Sequence, residues 1–172
     1  MTIGHESGSD VAAREALLDE AYGLSRFRKP SEKIRRGRQP AEGLSLVAAD
    51  GDRVVGTVRL WHVSCGDRSA LLLGPLAVAC DRQSQGIGAA LIARAIDGAR
   101  AGGHGAIVLV GDAAYYGRFG FTAAKTGALA MPGPFERHRL LGLELVPGAL
   151  DGAAGIIAAT GRPVTKMRRK AA

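Results

Sequence analysis

The segment from Ser69 to Ala101 constrains this chain most. It begins with a largely apolar run, Ser69 to Ala79, that reads as a strand but carries Gly74-Pro75 inside it. Proline has no N–H to give to a ladder, so strand pairing must break there. A bulge or splay results and leaves nearby backbone groups free. A polar loop, Asp81 to Gln85, then leads into Gly86 to Ala101, the best helix in the sequence. Its residues Ile87, Leu91, Ile92, Ala95, Ile96 and Ala99 share one apolar face. Gly102-Gly103 ends it. Ala106 to Val110 follows as a short, wholly apolar run, the pattern of a buried central strand.

The flanking sequence supplies the rest of a mixed fold. Met1 to Glu6 reads as a short strand, and Asp10 to Gly23 as a helix with Val11, Leu17, Leu18 and Ala21 at helical spacing. Leu44 to Ala49 and Arg53 to Val63 are strands joined at Asp50-Gly51, a tight-turn pair. A second turn at Gly66-Asp67-Arg68 leads to the broken strand, giving an antiparallel meander. Ala113 to Arg118 is a short helix, Leu140 to Val146 a strand, and Gly155 to Thr160 a last edge strand. The expectation is an α/β (α+β) domain spanning residues 1–160, with 161–172 as a basic, flexible tail.

Composition narrows the setting. Apolar residues make up 47% of the 172, enough for a real core, while aromatics are 5%. No apolar run has bilayer-spanning length, and Met1 to Asp10 lacks a secretory pattern. Cys65 and Cys80 do not form a metal-ligand spacing, so no metal is expected and a reduced, cytoplasmic setting is the default. The net charge of +7 favours an anionic partner. Arg26 to Arg38 holds much of it and reads as either a solvated face or a docking face for an acidic substrate or carrier.

The chemistry concentrates at Gln83-Ser84-Gln85-Gly86-Ile87-Gly88. The first N–H groups of a helix have no internal partner, and the macrodipole adds partial positive charge. A diphosphate fits such a site without any side-chain charge. The P-loop is excluded, because Gly88-Ala89-Ala90 stands where Gly-Lys-Ser/Thr is needed. The dinucleotide fingerprint is disfavoured: Leu91 replaces its third glycine and five residues separate strand from glycine. A helix start without a ligand would explain an isolated Gly-x-Gly. Here it must also account for the broken strand before it and the Tyr-rich segment after the next strand.

Gln83-x-x-Gly86-x-Gly88 resembles the Gln/Arg-x-x-Gly-x-Gly/Ala signature of the GNAT superfamily of acyl-CoA N-acyltransferases, and Tyr115-Tyr116-Gly117-Arg118-Phe119-Gly120-Phe121 resembles its Tyr-x-x-x-Gly-Phe motif. Val54-Gly56-Thr57-Val58, Leu73 to Val78 and Leu143-Glu144-Leu145 point further, to a bacterial branch of YhbS-like predicted N-acetyltransferases. The resemblance covers roughly residues 10–155. It implies a mixed, mostly antiparallel central sheet, splayed at the fourth strand and flanked by helices. It implies acetyl-CoA, or another acyl-CoA, as acyl donor, and direct sequential transfer to an amine.

Residue by residue, the resemblance assigns the pantetheine arm to backbone amides at Leu76, Ala77 and Val78, with the Leu76 amide polarising the thioester carbonyl. It assigns the pyrophosphate to N–H groups of Gln83, Ser84, Gln85, Gly86, Ile87, Gly88 and Ala89. Tyr116 aligns with the tyrosine that protonates the departing thiolate, beside the pantetheine. Many relatives carry a Glu on the strand before the loop; Ser69 to Ala79 has no Asp, Glu or His. His62 is the first candidate base because imidazole titrates near neutrality, with Asp112 and Glu144 behind it. Cys80 is expected to be an inert small residue.

Other readings remain open at this level. A CoA-binding module without catalysis would show no CoA release above hydrolysis. An acyl carrier protein could replace free acyl-CoA at the basic face. Nucleic-acid binding through Arg26 to Arg38 and Lys166 to Lys170 is disfavoured, since no such motif is present and stacking aromatics are scarce. The expected state is a monomer or homodimer with no membrane partner. The acceptor could be a small amine, an amino acid, a peptide N-terminus, a lysine or a hydroxyl.

Overall fold

A computed structural model describes residues 1–165; the basic segment Lys166 to Lys170 lies outside the described residues. The chain runs β1 (Thr2–His5), α1 (Val11–Tyr22), α2 (Pro30–Arg35), β2 (Ser45–Asp50), β3 (Arg53–Cys65), β4 (Arg68–Val78), α3 (Ile87–Ala101), β5 (Ala106–Val110), α4 (Ala113–Tyr116), β6 (Leu129–Ala130), β7 (Leu140–Glu144), β8 (Gly155–Ile156) and β9 (Ala158–Ala159). The main sheet has the order β1-β2-β3-β4-β5-β7, with β9 added on β3. Its pairs are antiparallel except β4 with β5. The expected mixed, mostly antiparallel sheet flanked by helices is therefore present.

The meander forms where its turns require. Gly51 and Gly66 take φ of 60° and 64°, as tight turns demand. The last edge strand expected over Gly155 to Thr160 is instead two short strands in different sheets. Gly155–Ile156 pairs with β6, and Ala158–Ala159 pairs with β3. Two-residue strands carry too little periodicity to be seen in a sequence.

Core packing fills both faces of the sheet. On one, Leu17 and Leu18 of α1 and the apolar stripe of α3 meet Val58, Leu60, Leu71 and Ile107. On the other, Ile34 of α2 meets Trp61, Val63, Leu72 and Val108 under the loops of the second half. Helix α3 follows its sequence pattern closely: Ile87, Leu91, Ile92, Ala95, Ile96 and Ala99 are all buried. A fully buried leucine side chain stabilises by roughly 1.5–3 kcal/mol, which is how this helix is held.

Helix α1 departs from its pattern. Val11 is 39% exposed and Ala21 is exposed, while Arg14 is buried beside Leu17 and Leu18. Arg14 is accepted there because it pairs with Glu6, whose side chain is equally enclosed. A buried charge needs such a partner. Apolar spacing alone did not show it.

Strand β4 is irregular in two places. Val58 pairs with Leu76, but Leu60 pairs with Leu73, so β4 holds one extra residue at Gly74-Pro75. This is the bulge expected from the proline. Beyond it β4 and β5 part: their parallel pairing comprises Leu71 with Ile107 and Leu72 with Val108.

Candidate active site

The parted strands leave one edge of β4 unpaired. Ala79 N–H donates to the Val55 carbonyl, at 2.9 Å, so residue 79 turns its polar groups towards β3. Strand alternation turns those of Ala77 the same way and those of Leu76 and Val78 towards the gap. One of these groups has a partner: the Tyr22 hydroxyl donates to the Leu76 carbonyl. The N–H groups of Leu76 and Val78 face the gap.

At the end of β4 a 3₁₀ turn, Cys80–Arg82, leads into the loop before α3. Ser84 has φ 61°, the single positive φ of a non-glycine residue among the described residues, and Gly86 has φ 80°. This left-handed step aims successive N–H groups into one concavity. Among the described residues, no backbone N–H from Gln83 to Ala89 donates to another residue; the first that does is Ala90, to the Gly86 carbonyl at 3.0 Å. A run of free donors at a helix start is a ready anion site.

No side-chain cation reaches into this loop from its own sequence. Arg82 pairs with Asp50 at 2.7 Å, and Arg53 grips Asp81 with two bonds of 2.7 and 2.8 Å. These pairs tie the loop to the β2–β3 hairpin. The Arg53 guanidinium holds the Asp81 carboxyl below its ordinary range. Gln85 Nε2 is turned back onto the Asp81 carbonyl, 3.4 Å away. What this loop itself presents is therefore backbone N–H rather than side-chain charge.

The Tyr-rich segment faces the same gap. A Cβ on Gly88 would lie 3.0 Å from the Tyr115 hydroxyl, so Tyr115 closes against the loop. Its ring packs edge-on to Tyr116, centroids 5.0 Å apart, and under Arg118 at 4.5 Å. Asp112 caps α4 by accepting from Ala114 N–H at 2.9 Å. Gly111 leaves room for Tyr116: a Cβ there would sit 2.4 Å from Tyr116 Cε2. Burial, with help from Tyr22 and Tyr115, raises the Tyr116 phenol well above its ordinary value. The phenol therefore keeps its proton throughout the neutral range and beyond.

Beyond Leu76 the gap widens into a cavity of about 540 Å³. Its walls include β4 from Leu72 to Leu76, Val110, Tyr22 and Tyr116. The volume falls within the range of small-molecule sites. Trp61 Nε1–H donates to the Gly74 carbonyl at 2.6 Å and fixes the bulge from below.

Several expected residues do not reach this cavity. His62 pairs with Leu71, five residues or about 16 Å of strand from Leu76, and its ring lies 5.4 Å from that of His104. It is not among the residues that line the cavity. Asp112 serves as the cap of α4, and Glu144 accepts from Leu150 N–H at 2.9 Å. Neither lines the cavity. Cys80 is exposed, and its thiol is raised by a hydrogen bond to Glu20 and that group's charge, so it stays protonated. Buried Cys65 is pushed up to about 11.

The cavity instead presents Tyr22, Glu136 and Arg139, which no motif marked, together with Lys29 and Arg35 from the basic stretch Arg26 to Arg38. Glu136 is its single carboxylate. Part of the basic stretch Arg26 to Arg38 is consumed inside the fold. Arg26 is bound by Glu15 and Asp19 at 2.6 and 3.0 Å, and Arg38 donates to the Gly161 carbonyl at 2.8 Å.

Known proteins share both the sequence and this architecture. Residues 41–123 match the model of the acetyltransferase (GNAT) domain. The chain is 33% identical over 122 residues to the uncharacterized N-acetyltransferase YhbS of Escherichia coli K12, covering 66% of this chain and 70% of that protein. The chain belongs to the GNAT N-acetyltransferase family. As a GNAT protein it is an acyl-CoA-dependent N-acyltransferase of the YhbS type. The crystal structure of E. coli YhbS in complex with CoA superposes with a TM-score of 0.78 at 28% identity, over 92% of this chain and 89% of that one. A GNAT acetyltransferase from Brucella melitensis, in complex with acetyl-CoA, gives 0.67 at 28% identity, over 92% and 95%. Among the described residues of this GNAT chain no helix is long and apolar enough to cross a membrane.

Proposed function

We propose that the chain transfers the acetyl group of acetyl-CoA directly to an amine held in the cavity beyond Leu76. The reading rests on one conjunction: a run of free N–H groups, Gln83 to Ala89, beside a strand edge left open where β4 and β5 part. The CoA-bound and acetyl-CoA-bound relatives support it.

In this reading, the N–H groups of Gln83, Ser84, Gln85, Gly86, Ile87, Gly88 and Ala89 receive the pyrophosphate. Leu76, Ala77 and Val78 line the path of the pantetheine arm, and the outward N–H groups of Leu76 and Val78 pair with it. The Leu76 N–H polarises the thioester carbonyl, where negative charge develops during attack. One such donor contributes on the order of 3 kcal/mol to lowering the barrier. Tyr22 occupies the Leu76 carbonyl and so keeps this edge presenting its donor.

The amine nitrogen bonds to the thioester carbon, the carbon–sulfur bond breaks, and an amide and the CoA thiolate result; the thiolate takes up a proton from solvent on release. Tyr116 keeps its phenol protonated and donates a hydrogen bond to the departing sulfur. Its raised pKa suits a donor that is never lost to ionisation at neutral pH. Glu136, the cavity's carboxylate, takes the proton from the acceptor nitrogen in place of His62.

The test is CoA thiol release from acetyl-CoA with a panel of amines, compared with the same protein lacking amine. Amine-dependent release above hydrolysis, with the acetylated amine identified by mass, supports transfer. Tight acetyl-CoA binding with release at the hydrolysis rate for every amine would mean a binding module.

A further inference from the structure

The cavity wall carries an excess of positive charge that the protein does not neutralise. Lys29, Arg35 and Arg139 all face it, and Glu136 is the only carboxylate among its lining residues. Glu136 itself leans towards His138, 3.3 Å away. Arg26 also lines the wall, but Glu15 and Asp19 satisfy it. Arg35 has one weak partner, Glu32 at 3.3 Å, although its side chain is only 10% exposed. Lys29 and Arg139 make no ion pair among the described residues.

These cations crowd the position where transfer is placed. Arg35 Nη1 stands 3.5 Å from where a Cβ on Gly74 would lie. Lys29 Nζ lies over the Tyr22 ring, 4.4 Å from its centroid, and the Tyr22 hydroxyl bonds the Leu76 carbonyl. Partial desolvation at the cavity rim, together with repulsion from Arg35 and Arg139, lowers the ammonium of Lys29, although the side chain is still exposed to solvent. Like charges held together at a partly enclosed wall repel one another. An anion placed among them removes that cost, and guanidinium forks match carboxylate and phosphate oxygens.

The donor does not need this charge. Its diphosphate is assigned to the loop Gln83 to Ala89, none of whose residues lines the cavity. Leu76 separates the two regions along β4.

We infer that the acceptor is a small amine bearing a carboxylate or phosphate, which Lys29, Arg35 and Arg139 hold while its nitrogen faces the thioester and Glu136. The inference rests on the proposed transfer reaction and names its substrate class.

The experiment measures CoA release from acetyl-CoA with matched pairs. Each common L-amino acid is set against its α-amide, and O-phosphoethanolamine against ethanolamine. The anionic member of the productive pair is expected to give kcat/KM about tenfold or more above its neutral match. Arg139→Gln and Lys29→Gln are expected to erase most of that preference; both residues are exposed, so folding is not at stake as it is for Arg35→Gln. Equal or better turnover of the neutral member overturns the inference. So does a preference for succinyl-CoA over acetyl-CoA with ethanolamine that Arg139→Gln abolishes, since the anion would then sit on the donor. If no amine exceeds hydrolysis, CoA-saturated protein is titrated with inorganic phosphate by calorimetry. One-to-one binding that weakens in Arg139→Gln supports the subsite, and absence of heat overturns it. Acetyl-CoA titration of the wild type separates the two claims: no donor binding defeats the transfer reading, whereas donor binding without anion selectivity defeats only the subsite.

Discussion

Replacing Gly86 by Asp isolates the charge at the helix start. A Cβ at Gly86 would meet no atom within 4 Å, so the side chain fits without a clash. The backbone stands at φ 80°, which costs a non-glycine residue roughly 1–2 kcal/mol, less for Asp and Asn, which tolerate this region. Gly86→Asn carries that strain and nearly the same volume but no charge. The difference between the two variants is therefore electrostatic. A carboxylate about 4–5 Å from one phosphate charge, at an effective dielectric constant of about 20, is repelled by about 3–4 kcal/mol. At about 1.4 kcal/mol per decade, Asp should weaken acetyl-CoA binding by a few hundredfold or more relative to Asn. Calorimetric titration of both variants reads this ratio directly, and the ratio should shrink as salt is raised. Their melting temperatures should agree, because the strain is shared. Equal affinities for Asp and Asn would refute the placement of the diphosphate at this loop.

Particular contacts give three further expected outcomes. Tyr116→Phe should lower kcat more than acetyl-CoA affinity; because the phenol is raised, wild-type activity should show no loss from its ionisation as pH rises to 10, and a tyrosine-dependent fall near neutrality would count against the role. Gly111→Ala drives a Cβ to within 2.4 Å of Tyr116 and should cost about 1–3 kcal/mol of stability, read as a lower melting temperature together with lower turnover; an unchanged enzyme would show that Tyr116's seat is not fixed by this glycine. Arg14→Ala leaves the enclosed Glu6 with only the longer contact to Arg59, 3.6 Å away, and should cost about 1–3 kcal/mol in denaturant unfolding; no loss at all would mean that Arg59 or water fully replaces the pair.

Local features of the sequence carried most of the donor side. Gly74-Pro75 announced the bulge because a missing N–H acts within its own strand. The stripe from Ile87 to Ala99 announced α3 because its period is repeated over several turns. The acceptor side was not legible in this way. Tyr22, Lys29, Arg35, Glu136 and Arg139 come from three stretches of chain and meet only through tertiary packing. Arg26 looked like a surface charge because its partners, Glu15 and Asp19, lie on the preceding helix.

The place of His62 follows from the hairpin turn. The turn at Gly66-Asp67 fixes the hairpin, so Cys65 pairs with Arg68 and His62 with Leu71. Counting back from that turn places His62 well short of Leu76. Val110 shows the opposite effect. Its apolar run promised full burial, yet it is 38% exposed because β4 leaves it where the sheet parts.

The most direct test compares binding of S-acetyl-pantetheine, S-acetyl-phosphopantetheine and acetyl-CoA to the wild-type protein by calorimetry. If unpaired backbone donors grip the diphosphate, affinity rises most when the phosphates are added, and the fragment without phosphate binds at least about a hundredfold more weakly than acetyl-CoA. Equal affinity for the phosphate-free fragment and acetyl-CoA would contradict the account.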